Sequence, residues 1–220
     1  MSSSKTKRVL SLAISAIGFT ATSSQIIIVR EFIIVFYGNE LCLGLILANW
    51  LLWGAIGSWG FGRIADRIKR RTGLMASCEI FIAFLVPLLV FIARSARVFL
   101  KAQPGELISI APMIAFTFVL LAPLCATLGF LFSLGARMYP SSKGARQIGY
   151  TYIFESVGSS IGGLITSLIL IRYLNSIQIA MIIGSLNLLS AANLRIFSGK
   201  RKSVKLFFRG IIVILFIVNV

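Results

Sequence analysis

The sequence predicts an all-α membrane protein, a polytopic bundle of transmembrane helices that forms a single domain over residues 1–220. Composition is the first reason, because 58% of the residues are hydrophobic and only 13% are charged, with a mean hydropathy of +0.95. Globular domains average about 25% charged residues. Apolar runs long enough to cross a bilayer recur along the chain, and basic residues cluster between them, as in the cytoplasmic loops of membrane proteins.

Seven apolar segments are predicted to cross the membrane, because a helix needs roughly 20 residues to span the hydrocarbon layer. They lie at residues 9–36, 41–61, 74–93, 110–134, 148–171, 177–194 and 207–220. Helices are expected because lipid offers the backbone no hydrogen-bond partners. The first run is too long for a signal peptide and lacks an A-x-A cleavage site, so we expect it to be retained.

The distribution of Lys and Arg predicts the orientation of the chain. With a cytoplasmic N-terminus, 17 basic residues fall in cytoplasmic segments and four fall on the other side. Such a bias predicts that the N-terminus is cytoplasmic. The net charge of +16 follows from this topology, so we expect the lipid bilayer, and not a nucleic acid, as a partner.

The segment after the second span carries a charged motif. Its residues match the pattern G-x-x-x-D-R-x-x-R-R found between helices two and three of major facilitator transporters: Gly62, Asp66, Arg67, Arg70 and Arg71. An aspartate beside arginines can form a charge-assisted clasp between helix ends, which we interpret as a cytoplasmic-loop latch. The alternative is a positively charged loop that contains one aspartate, and Lys69 stands where the transporters usually have glycine.

Small residues recur at four-residue steps in two spans. Gly54 and Ser58 lie in the second span, and Gly158 and Gly162 lie in the fifth. This spacing lets helix backbones approach closely. We interpret these residues as packing positions within the chain, with a homodimer face as the alternative.

Three of the six acidic residues, Glu31, Glu79 and Glu155, lie in or at the edges of predicted spans. Ionisable side chains inside a membrane usually face the bundle interior and mark an ion or substrate path. These carboxylates, with Ser159 on the helical stripe of Glu155, are the candidates for an intramembrane cation or proton site. Structural ion pairs that hold helices in register are the alternative.

The depths of these acids differ. Glu31 is expected near the outer interface, about 33 Å along the first helix from Val9. It shares a face with Thr20 and Ser24, whereas the neighbouring Arg30 is expected to reach the headgroups. Glu155 is expected near the opposite end of the bundle, at a depth similar to that of Glu79.

No metal, cofactor or catalytic site is expected. The sequence has no histidine, and its three cysteines are widely separated within apolar segments. With no evident nucleophile, enzymatic activity is not expected of this chain.

Four stretches resemble the membrane domain of bacterial spermidine synthase-like proteins of the fused major facilitator/spermidine synthase type. They are "GFTATSSQIIIVREFIIVFYGNE", "WGAIGSWGFGRIADR", "LGFLFSLGARMYP" and "IGYTYIFESVGSSIGGLITSLIL", and they cover most of residues 17–172. A Tyr-Glu pair common in that family is replaced here by Ser24 and Gln25. The resemblance implies a bacterial inner (plasma) membrane protein whose first six spans pack like half of a major facilitator transporter, with a seventh span appended.

The resemblance also bears on catalysis. Full-length relatives carry an aminopropyltransferase domain with a glycine-rich turn and several aspartates on a Rossmann-like sheet. Residues 1–220 contain no such turn and a single aspartate, Asp66, so aminopropyl transfer is not expected of them.

Two functions remain open from the sequence. One is binding or transport of a small cationic metabolite, such as the polyamine that the resemblance implies. The other is a structural subunit without a transport cycle, or a truncated anchor for a synthase partner, assembled as a homodimer or with another membrane protein.

Overall fold

A computed structural model describes residues 3–38, 40–63, 70–103, 105–139 and 144–198 of the chain. They form an all-α bundle, which confirms the predicted fold class, and no strand occurs in these ranges. The helices are α1 (Ser3–Val35), α2 (Glu40–Ile56), α3 (Arg71–Arg94), α4 (Ala96–Phe99), α5 (Ile110–Met138), α6 (Gly144–Ile165) and α7 (Ser176–Phe197). All except the short α4 are long and apolar enough to cross a membrane.

The six long helices correspond to the first six predicted spans, but most extend further into polar sequence. The first begins at Ser3 instead of residue 9, and α5 ends at Met138 instead of residue 134. Backbone hydrogen bonds continue past the apolar run, so hydropathy underestimates helix length. Two π-helical turns were not predicted. One, Gly57–Phe61, follows α2, and the other, Thr166–Leu170, follows α6. A short α-helical turn, Ile171–Tyr173, continues from the second one. The predicted seventh span, 207–220, lies outside the described residues.

The helices pack in three principal pairs: α1 with α6, α2 with α5, and α3 with α7. Helix α1 also contacts α3, α5 and α7, which places it at the centre of the bundle. These pairs show an internal symmetry in which α1 corresponds to α5, α2 to α6, and α3 to α7. Under this exchange the pair α1–α6 becomes the pair α5–α2, and the pair α3–α7 becomes itself. Because three crossings separate each helix from its counterpart, the counterparts run in opposite directions. Inverted repeats of three helices of this kind are described within each half of major facilitator transporters.

Glycine allows the closest approach of α1 and α6. A Cβ atom added to Gly158 would lie 2.0 Å from the carbonyl oxygen of Ser15, and one added to Gly18 would lie 2.1 Å from that of Glu155. Neither distance is compatible with a side chain, so the two backbones touch directly.

The counterpart pair, α2 and α5, is built in the same way. A Cβ atom on Gly57 would lie 2.1 Å from the carbonyl oxygen of Ala126, and one on Gly129 would lie 2.1 Å from that of Gly54. The two pairs related by the internal repeat therefore share backbone-to-backbone packing.

We call the end of the bundle where α1 begins the lower end and the opposite one the upper end. At the upper end, the connection from α3 to α5 is tied to the segment after α1. Arg97 donates to the carbonyl oxygens of Val35 at 3.2 Å and Glu106 at 3.0 Å, and its guanidinium lies 4.5 Å from the ring centroid of Tyr37. The Tyr37 hydroxyl in turn accepts from the backbone N–H of Gly105 at 3.1 Å.

Candidate functional site

Polar side chains, most of them buried, line the interface where α1, α3 and α7 meet. We call this set the polar column, and it comprises Thr20, Ser24 and Glu31 of α1, Glu79 and Arg94 of α3, and Asn187 and Ser190 of α7. The α1 members are four and seven residues apart, so they share one face of that helix, as the sequence predicted. Most of the surrounding core is aliphatic. The column therefore brings the polar groups of three helices to one interface.

At the upper end of the column, Glu31 is held by Arg94. The guanidinium donates from Nη2 to Oε1 at 2.9 Å and from Nε to Oε2 at 3.1 Å, a bidentate arrangement. The Glu31 side chain is 4% exposed and that of Arg94 is 47% exposed. The buried carboxylate is thus neutralised by an arginine that is itself about half exposed.

In the middle of the column, Asn187 bridges α7 and α1. Its Nδ2 donates to Thr20 Oγ1 at 2.7 Å and to the carbonyl oxygen of Ile183 at 2.8 Å. Its Oδ1 atom and the Ser24 hydroxyl are both buried, and neither has a hydrogen-bond partner among the described residues. The middle therefore contains acceptors that no described residue uses.

At the lower end of the column, Glu79 is completely buried. Its Oε1 accepts a hydrogen bond from the Ser190 hydroxyl at 2.9 Å, and within the described part of the chain its Oε2 has no partner. Glu79 lies eight residues into α3, about 12 Å along the helix axis from Arg71. A carboxylate buried at this depth needs a proton or a cation to offset its charge, and a serine hydroxyl supplies neither.

A groove of about 490 Å³ between the lower halves of α1 and α7 reaches the column. Ala13 and Ala16 line one wall, Leu186 and Leu189 line the other, and Ser190 also lies on its surface. The residue that binds Glu79 therefore also borders this groove.

The other intramembrane acid, Glu155, lies elsewhere. It is partly buried on α6, and its backbone packs against Gly18 of α1. Ser159, one turn further, donates to the carbonyl oxygen of Gly18 at 3.1 Å. Gly18 and Thr20 are two residues apart and so point to nearly opposite sides of α1. The three predicted acids thus occupy three separate locations, and Glu155 and Ser159 do not join Glu79.

The predicted packing residues lie at helix contacts. Gly158 and Gly162 approach Ser15 and Phe19 of α1. On α2, the backbone of Gly54 packs against Gly129, as described above. The carbonyl oxygen of Ser58 accepts from Ser133 of α5 at 2.9 Å. All four contacts lie within this chain, so they do not support the homodimer alternative.

The predicted latch is only partly within the described residues. Asp66 and Arg67 lie outside them. A Cβ atom on Gly62 would come within 3.4 Å of Arg137 Nη1, and Arg71 Nη1 donates to the Arg137 carbonyl oxygen at 3.4 Å. The side chains of Arg70 and Arg71 line a cavity of about 720 Å³ at the lower end.

Sequence reasoning missed three members of the polar column. Arg94 is one of the four basic residues that the charge distribution places opposite the N-terminus, and nothing nearby in the sequence indicates its partner, which is 63 residues away. Asn187 and Ser190 are polar residues within an apolar helix and are three residues apart, which places them on one helical face. This spacing could have identified them as candidates for a polar site.

No protein-family model, curated protein or solved structure matches the chain. The resemblance to spermidine synthase-like membrane domains therefore stays a prediction. The function has to be argued from the bundle and its polar column.

Proposed function

We propose that this multi-pass membrane protein binds a small cation at Glu79 and passes it along the polar column between α1, α3 and α7. The observation that carries the proposal is the carboxyl group of Glu79, which is completely buried and has an Oε2 atom without a partner among the described residues. In a membrane interior, such a group marks an ion or proton path by default.

The arrangement of the helices supports transport as the purpose of this binding. Inverted three-helix repeats surround the binding sites of many transporters, and alternating access follows from the motion of one unit against another. Glu79 has no exposed surface. A ligand as large as a polyamine would therefore reach it only after the helices separate, whereas a proton or a metal ion needs a smaller opening.

The orientation and location belong to the same proposal. The excess of Lys and Arg in the segments expected on the same side as the N-terminus supports a cytoplasmic N-terminus. The bacterial inner membrane, like a polyamine ligand, is supported only by the resemblance.

A structural subunit is the second candidate. The observation that favours it is the exposure of α2 and α6, because these two helices are the least buried of the six long helices. A partner membrane protein could cover those faces, and the polar column would then only hold helices in register.

Thermal unfolding of the purified protein separates the two functions. The midpoint is measured against concentrations of Li⁺, Na⁺, K⁺, putrescine and spermidine at constant ionic strength, with Glu79→Gln as the test variant and Glu155→Gln as the control. A ligand that binds only the folded state raises the midpoint as its concentration exceeds the dissociation constant. We expect a shift that Glu79→Gln abolishes and Glu155→Gln retains.

Proton binding needs its own readout. Infrared difference spectra across a pH series report a protonated carboxyl group, and we expect the Glu79 band to disappear in Glu79→Gln. If neither a cation nor a proton binds at Glu79 in the folded protein, the cation-binding function is wrong and the structural subunit is favoured.

A further inference from the structure

We infer that the cation is a dehydrated alkali-metal ion of the size of Na⁺, bound between Glu79 Oε2 of α3 and Asn187 Oδ1 of α7. This inference rests on the proposed function and names its ligand class. It starts from two oxygen atoms that are wholly buried and that have no partner among the described residues.

The two side chains are linked through α7, from the middle of the column to its lower end. Asn187 and Ser190 are three residues apart and share a face of α7, and Ser190 already contacts Glu79 at 2.9 Å. Three residues correspond to about 4.5 Å along the helix axis. Hard cations of this size bind oxygen ligands at about 2.4 Å, so one ion can join two oxygens up to about 4.8 Å apart. A bridging ion therefore requires Glu79 Oε2 and Asn187 Oδ1 to lie within that reach, and the two side chains belong to neighbouring turns of one interface.

The amide of Asn187 is oriented for this role. Its Nδ2 donates to the carbonyl oxygen of Ile183, which can only accept, and also contacts Thr20 Oγ1. The nitrogen is therefore identified by its partner, and the remaining amide atom must be the oxygen. Thr20 acts as a positioning residue because it holds the amide whose oxygen would bind the ion.

The chemistry of the surrounding groups selects a monovalent hard cation. The available ligands are carboxylate, amide and hydroxyl oxygens, which suit alkali and alkaline-earth ions better than transition metals. Glu79 supplies one negative charge, and the nearest other acid of the column, Glu31, is already neutralised by Arg94. A monovalent ion leaves the site neutral, whereas a divalent ion would leave an uncompensated charge inside the membrane.

The test is a Na⁺ titration of the full chain in detergent, followed by thermal unfolding, with N-methylglucamine chloride keeping the ionic strength constant. The variants are Asn187→Leu, which removes the amide oxygen, and Thr20→Val, which removes only the group that orients it. Asn49→Leu is the matched control, because Asn49 is a buried asparagine that donates to Thr117 at 3.0 Å between α2 and α5.

We expect Na⁺ to raise the midpoint of the unchanged protein and of Asn49→Leu. Asn187→Leu should abolish the Na⁺-dependent shift, and Thr20→Val should weaken Na⁺ binding about tenfold, as loss of a group that orients a ligand usually does. If Asn187→Leu does not fold, Thr20→Val alone decides, and an unchanged Na⁺ affinity in that variant overturns the inference.

The remaining outcomes separate this inference from the proposed function. A protonated Glu79 band with no Na⁺-dependent shift would show a proton site, so the function would stand and the alkali-metal inference would fail. A Na⁺ shift that Glu79→Gln retains would be a general salt effect and would also overturn the inference. If Glu79 binds neither a proton nor any cation, both proposals fail.

Discussion

Glu31 and Glu79 are both buried acids, but their surroundings give them different roles. Arg94 binds both oxygens of Glu31, whereas Glu79 has one serine hydroxyl on one oxygen. A paired carboxylate can hold two helices together in its charged form. A carboxyl group that has no counter-ion in the described part of the chain instead makes the folded state depend on what binds to it.

The pairing of Glu31 predicts a non-additive effect on stability. Arg94→Gln leaves a buried carboxylate without its counter-ion and should lower the free energy of unfolding by about 2 kcal/mol, between the values for exposed and fully buried pairs. The double variant Glu31→Gln with Arg94→Gln should recover part of that loss. Denaturant unfolding of the four proteins in a double-mutant cycle measures the coupling, and strictly additive losses would contradict the ion pair.

Glu79 should behave in the opposite way in the absence of its ligand. Replacing it by glutamine removes an uncompensated carboxyl group while keeping the shape, so Glu79→Gln should leave the free energy of unfolding unchanged or raise it by about 1 kcal/mol. The measurement is unfolding in buffer free of alkali cations. Glu31→Gln is the comparison and should be less stable than the unchanged protein, because it removes the partner of Arg94. A large loss of stability in Glu79→Gln would indicate a purely structural role for that residue.

Helix pairs are joined by backbone contact and a few hydrogen bonds. Between α1 and α6, the Thr166 hydroxyl lies 2.8 Å from that of Ser23 in addition to the glycine contacts. Between α2 and α5, Asn49 donates to Thr117 at 3.0 Å. Small residues and interhelical hydrogen bonds replace the hydrophobic driving force that lipid removes. The two pairs related by the internal repeat use the same means.

The glycine contact between α1 and α6 can be tested with two substitutions in one helix. Gly158→Ala places a Cβ atom 2.0 Å from the Ser15 carbonyl oxygen, so the helices must move apart, at a cost of about 1–3 kcal/mol. Gly149→Ala is the control, since nothing lies within 4 Å of its Cβ position. It should change stability by at most about 1 kcal/mol, in the stabilising direction. Equal effects in denaturant unfolding would refute the close contact.

At the scale of the whole molecule, the inverted three-helix units place α1 at the centre and leave α2 and α6 with large lipid-facing sides. This arrangement requires six membrane crossings within residues 3–198. The start of α1 and the end of α7 must then lie on one side of the membrane, and the connection between α3 and α5 must lie on the other.

Labelling of single cysteines tests this topology. The background replaces the native cysteines by alanine, and the exposed positions to be labelled are Lys5, Gln103 and Ser198. With a cytoplasmic N-terminus, a membrane-impermeant thiol reagent applied to whole cells should label Gln103→Cys alone. Lys5→Cys and Ser198→Cys should react only after the membrane is opened. Labelling of Lys5→Cys and Ser198→Cys from opposite sides would contradict six crossings, whereas labelling of both from outside would reverse only the orientation.

The sequence could predict those features of the fold and of the candidate site that depend on composition and on the spacing of residues along one helix. Six of the seven predicted spans are helices of the structure, and Thr20, Ser24 and Glu31 share a buried face as their spacing indicated. The joining of Arg94 to Glu31, and of Ser190 to Glu79, could not be predicted. Each pair depends on which helices become neighbours, and periodicity along one helix carries no information about that.

The sequence by itself determined the membrane class, the approximate limits of six of the seven predicted helices, and the presence of carboxyl groups within them, because each follows from hydropathy and position along the chain. Only the tertiary structure decided which acids have partners. Helix α1 lies between α6 on one side and α3 with α7 on another, so Glu155 is separated from Glu79 although both are intramembrane acids. The physical reason is that packing brings polar groups together across helix interfaces, and here the closest interfaces form where glycine lets two backbones touch.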